Sequence, residues 1–98
     1  MSGPTGPEIA AAARARLTAE LEALTPEQRR ERFQTWSRRF DEEEEMLEEE
    51  CRKKPRSRKA VLALLVRRIE QCEELQVFEE DFDRHLARRA RETAAPND

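Results

Sequence analysis

Apolar residues along this chain recur at steps of three and four, separated by long charged stretches, which is the period of an α-helix and not of a strand. Three segments carry the pattern. In the first, Ala10, Ala13, Leu17, Leu21 and Leu24 form one narrow, alanine-rich stripe. Thr5-Gly6-Pro7-Glu8 precedes it in the form of a capping box, with proline in the first turn where its missing N–H costs nothing, so a helix is predicted over about 7–24. Thr25-Pro26-Glu27-Gln28 repeats that logic with Gln at the third position, and Pro26 drives Thr25 out of the α region. A second helix over about 26–52 then carries Phe33, Trp36, Phe40, Leu47 and Cys51 on one side. Lys53-Lys54-Pro55-Arg56-Ser57 breaks it. The third helix, over about 58–91, holds Leu62, Leu65, Ile69, Cys72, Leu75, Phe78, Phe82 and Leu86 and gives the strongest periodicity. The glycine- and proline-bearing ends, 1–6 and 93–98, read as flexible tails around a helical domain over 7–92.

The fold class that follows is all-α: a long antiparallel helical hairpin, coiled-coil-like, with a shorter N-terminal helix able to complete a three-helix bundle. Folding back between Pro55 and Arg56 sets residues equidistant from the break face to face. Phe33 then meets Phe78, Trp36 meets Leu75, Met46 meets Leu65 and Leu47 meets Leu64. The same register joins Glu27 with Arg84, Arg30 with Asp81, Arg32 with Glu79, Arg38 with Glu73, Glu43 with Arg68 and Glu44 with Arg67. Like charges meet at Glu31 with Glu80 and at Asp41 with Glu70. Exposed pairs contribute only about 0–1 kcal/mol each, so they select register more than they stabilise.

The first helix is harder to place. Returning along the second, it would set Leu17 by Phe33 and Ala10 by Phe40, but the connection at Thr25 is very short. On the third helix, Val66 and Val77 point away from Leu64, Phe78 and Phe82, which requires a second neighbour. A separate chain is the favoured occupant, because the alanine stripe of the first helix offers little area.

Composition narrows the function. Charged residues make up 42% of the 98, with Gly rare and Tyr absent, the profile of long helices. A net charge of -3 and a pI near 5.4 supply no global basic field for coating nucleic acid. Cys51 and Cys72 are in no CxxC spacing and there is one histidine, so a Cys/His zinc site has too few ligands and the thiols read as reduced and partly buried. The longest apolar run, Val61 to Val66, falls far short of the ~20 residues a membrane span requires. With no hydrophobic signal core and acidic residues near the start, the expected compartment is cytoplasm or nucleus.

Five features carry candidate chemistry. The carboxylates of Asp41 to Glu50 suggest a divalent-cation site, but like charges on one helix more simply form a solvated face, and no Glu-x-x-His pair accompanies them. Arg52, Lys53, Lys54, Arg56, Arg58 and Lys59 concentrate positive charge at the hairpin tip, a density that suits a polyanion or a nuclear-localisation signal. Ser57 among them is a candidate phosphosite at the start of a helix. His85, one turn after Asp81, lacks the converging nucleophile and oxyanion groups that catalysis needs. The Phe33, Trp36 and Phe40 rings, near several arginines, suit base stacking, though their matched spacing favours a core.

The sequence thus reads as a non-catalytic helical adaptor or small subunit of a multiprotein complex. Its core and partner surface are assigned to Phe33, Trp36, Phe40, Leu47, Leu62, Leu65, Val66, Ile69, Leu75, Val77, Phe78 and Phe82. The expected partner is a protein with amphipathic helices or a second copy, with no cofactor and no membrane. The alternative is a nuclear protein whose basic tip, 52–59, contacts nucleic acid.

Overall fold

The computed structural model describes residues 3–93 and is all-α: α1 (Gly6–Glu22), α2 (Pro26–Arg52) and α3 (Arg58–Thr93). Of the predicted tails, residues 1–2 and 94–98 lie outside the described residues, whereas Gly6 and Thr93 belong to helices. Each helix start is capped by its own hydroxyl. Thr5 Oγ1 accepts from the Glu8 N–H, and Thr25 and Gln28 exchange a full capping box. Ser57 Oγ accepts from the Ala60 N–H at 3.2 Å at the start of α3.

α1 stops at Glu22 rather than 24, because the capping box needs Thr25 in extended backbone and the chain must leave the helix before it. The α1 terminus is closed from a distance. Arg29 Nε donates to the Leu21 carbonyl at 2.7 Å, beside the Leu24 N–H that the same carbonyl accepts at 3.1 Å, and Arg29 also ion-pairs with Asp81 at 3.1 Å. One side chain of α2 therefore ties together all three helices.

The predicted hairpin register is observed to within a residue. Phe33 and Phe78 lie edge to face with ring centroids 5.1 Å apart, Arg67 pairs with Glu43 at 2.9 Å, and Arg68 reaches Glu44 at 3.7 Å. Helical rotation moves several partners. Trp36 packs on Phe78, with centroids 5.5 Å apart, rather than directly on Leu75, and Asp81 takes Arg29 instead of Arg30.

α1 completes a three-helix bundle, as the sequence allowed, and so overturns the preference for a separate chain on the Val77 face of α3. α1 packs chiefly on α3, not along α2. Ion pairs of Arg14 with Glu73 and Glu80 and of Arg16 with Glu70 join α1 to α3, and Arg29 of α2 links the Leu21 carbonyl at the end of α1 to Asp81. The core is Leu17, Leu21, Trp36, Val77 and Phe78, with Leu24 and Phe40 packed against it. Val77 is only 2% exposed, so the neighbour it requires is α1 and not another chain. Alanine explains the error. Ala13 is fully buried, and its small side chain lets the α1 backbone approach α3 closely, so the stripe works through proximity rather than area. Val66, beyond the reach of α1, remains 41% exposed.

Burial is confined to one end of a molecule measuring 70 × 30 × 18 Å. From Ser37 to Glu70 no residue is buried, so beyond the three-helix part the hairpin continues as a bare pair of helices ending in the basic tip.

Candidate interaction surface

The hairpin is aligned by a polar network as well as by its aromatic rings. Glu74, 8% exposed, accepts from the Trp36 indole N–H at 3.0 Å and pairs with Arg67, also at 3.0 Å. Arg67 continues to Glu43 and Glu70, and Gln71, 2% exposed, donates to the same Glu43 oxygen at 2.9 Å. Burial opposes the Arg67 charge, but Glu74, Glu43 and Glu70 outweigh it and hold its pKa above the ordinary arginine value. Among the described residues, no buried side-chain polar atom is left without a partner. Sequence reasoning missed Glu74 and Gln71. A buried Trp requires an acceptor for its N–H, and Glu74 lies within one residue of the position facing Trp36.

α1 adds a second set of charges. Arg14 bonds Glu73 and Glu80, and these contacts, Glu80 foremost, raise the Arg14 pKa and lower that of Glu80. Arg32 turns to Glu20 at 2.7 Å rather than to Glu79, and Arg38 bonds Thr35 rather than Glu73. The α1 arginines and Glu20 thus take partners that a two-helix register had assigned elsewhere.

The assigned core and partner residues separate into two groups. Trp36, Val77 and Phe78 are buried, and Phe40 and Leu47 are half-buried. The others, Phe33, Leu62, Leu65, Val66, Ile69, Leu75 and Phe82, are exposed, from 37% to 61%, as is Leu86 at 47%. Two partner helices cannot cover the whole circumference of α3, and its apolar positions extend around more than the covered part. Phe33, Leu75, Phe78 and Phe82, with Arg30, Glu79 and His85, line a groove of about 410 Å³ between α2 and α3.

The charged segments resolve individually. In the acidic block, Glu43, Glu44, Glu48 and Glu50 are engaged by Arg67, Arg68, Arg52 and Lys53, while Asp41, Glu42, Glu45 and Glu49 face solvent. Among the described residues no cluster with metal-ligand potential occurs. At the tip, Lys53 is held by Glu50, whose hydrogen bond raises its pKa. Lys54, Arg56, Arg58 and Lys59 are exposed. Asp81, the residue nearest His85 in a catalytic reading, is committed to Arg29. Cys51 and Cys72 are free and both exposed, which corrects their reading as partly buried.

No family model, curated protein or solved structure matches this chain. No described helix is long and apolar enough to cross a membrane.

Proposed function

We propose that this chain is a non-catalytic helical adaptor or small subunit of a multiprotein complex, acting in the cytoplasm or nucleus through helix–helix packing. One observation carries the reading. Leu65, Leu75, Phe82 and Leu86 are all more than a third exposed along one side of a single helix whose other side is already packed. Scattered exposed apolar residues are ordinary, but a contiguous stripe marks an interaction site, and a stripe on a helix fits an amphipathic helix of the partner.

The test separates surface from core. Replacing Leu65, Ile69 and Phe82 by Ser should leave helicity and melting temperature close to wild type and remove association, measured by sedimentation equilibrium and by co-purification with partners of the wild-type chain. A variant that retains every association overturns the reading.

A second reading rests on the tip, where Lys54, Arg56, Arg58 and Lys59 are exposed with no ion pair among the described residues. A polyanion, nucleic acid in particular, would neutralise them. Binding of that kind weakens steeply with salt, and changing the four residues to Gln should flatten the slope by up to about four charges. Salt-insensitive binding, or none, removes this alternative.

A further inference from the structure

The exposed face of α3 has an internal order that periodicity alone does not reveal. Val61, Leu65, Arg68, Cys72, Leu75, Glu79, Phe82 and Leu86 follow one another at alternating steps of four and three, the a/d spacing of a left-handed coiled coil, over about 38 Å of helix. Taking 100° per residue, this seam lies about 120° around α3 from the face bearing Gln71, Glu74, Val77 and Phe78, and apart from Val61, which is half-buried, and Arg68, which packs on Phe40 of α2, its members are exposed. Leu65, Leu75, Phe82 and Leu86 are 38% to 61% exposed.

The seam reads alike from both ends. Around a midpoint between Glu73 and Glu74, Val61 mirrors Leu86, Leu65 mirrors Phe82, Arg68 mirrors Glu79 and Cys72 mirrors Leu75. Every mirrored pair combines an a position with a d position, which is how layers form when two helices pack antiparallel. Arg68 and Glu79 are the charged members of the seam, and they mirror each other with opposite sign. Arg68 sits within the chain 4.7 Å from the Phe40 ring centre and 3.7 Å from Glu44, leaving further guanidinium donors free. Glu79 is exposed at the edge of the groove.

We infer that the occupant of this face is a second copy of the chain, with α3 packed antiparallel on α3 about a two-fold axis at Glu73–Glu74. The inference rests on the adaptor reading and names its partner. A two-fold interface is self-complementary, so each residue must suit its own mirror position, and this seam meets that condition at each layer from Val61 to Leu86. Parallel pairing fails on charge, since it sets Arg68 against Arg68 and Glu79 against Glu79 inside the apolar seam. Antiparallel pairing converts both clashes into Arg68–Glu79 contacts. The next layer outward would pair Arg58 with Arg89, like charges that end the seam where the apolar residues end. Leu62 and Ile69, beside the seam, flank the second helix, and Leu65 of the second copy lies over Phe82 at the groove.

Charge reversal tests orientation and partner together. Arg68→Glu and Glu79→Arg should each raise the dimer dissociation constant about a hundredfold or more by sedimentation equilibrium, because every dimer contains the altered layer twice. An equimolar mixture of the two variants, or the double variant, should dimerise like wild type. Circular dichroism melts check that each variant folds, and Glu79, without an ion pair among the described residues, is the safer of the two changes. Independently, in a Cys51→Ser, Cys72→Ala background, a chain bearing Leu65→Cys should form a disulfide with a chain bearing Phe82→Cys and not with itself. A dimer indifferent to both reversals, or disulfides between like chains, overturns the antiparallel seam. A wild-type chain that remains monomeric over the whole concentration range overturns self-association itself, while the adaptor reading would still hold for a foreign helix lost on changing Leu65, Ile69 and Phe82.

Discussion

Trp36 donates its indole N–H to Glu74 across the hairpin at 3.0 Å, with both residues under a tenth exposed. The bond places a polar group of α3 beside the largest ring of α2, and Arg67 neutralises the carboxylate from the other side. The ring supplies buried area and the bond specifies the register. Removing the ring should therefore cost more than removing the bond: Trp36→Ala is expected to lose about 3–5 kcal/mol in urea unfolding, and Trp36→Phe clearly less. Equal losses for the two would show that the hydrogen bond dominates.

Val66 and Val77 belong to one helical face but to different environments. Val77→Asp buries a charge without a partner beneath α1 and should unfold the chain or lower its melting temperature sharply. Val66→Asp, at a surface position, should change stability by no more than about 0.5 kcal/mol. Thermal melts of the two single variants decide this, and equal effects would contradict the docking of α1.

Arg14 holds Glu80 below the ordinary carboxylate range, chiefly through its hydrogen bonds. A group with a depressed folded-state pKa binds fewer protons folded than unfolded, so its contribution is complete above the unfolded value, about 4.3, and fades as the pH falls through the folded one. Glu80→Gln should remove that dependence: the variant is slightly less stable than wild type at neutral pH, and the two converge as the pH falls below about 4. Urea midpoints measured across the acid range provide the check.

Thr25 closes the start of α2 through both halves of its capping box. Thr25→Ala should cost about 1 kcal/mol and Thr25→Ser much less, since Ser retains the oxygen that accepts the Gln28 N–H. A neutral Thr25→Ala would mean that the α1–α2 turn is held by Arg29 instead.

The hairpin was legible because several independent signals coincide on it. Thr25-Pro26 and Lys54-Pro55 punctuate the chain, and the rings of Phe33 and Phe78 are too large to be placed arbitrarily. The position of α1 was not legible, because Ala13 contributes by allowing backbone approach, and nothing in hydrophobic spacing measures that. Nor does the regular recurrence from Leu62 to Leu86 say how much of a face is covered. It reports an apolar surface, and the covering is decided by how far α1 and α2 extend around α3. Glu74 and Gln71 were hidden for a related reason: polar residues read as solvent-facing until a partner such as Trp36 or Glu43 is seen to claim them.

The confinement of buried residues to one end makes the molecule uneven along its length. From Ser37 to Glu70 the backbone amides are protected by helical hydrogen bonds and little else, whereas those near Val77 open only when the core itself separates. Hydrogen exchange should fall off as a gradient from the tip to the core, with the basic loop and the turns beside it exchanging first. Such an arm can open and re-close without unfolding the bundle, so a ligand or modification at Ser57 would act on a locally soft lever while the α1 attachment holds the rest in place.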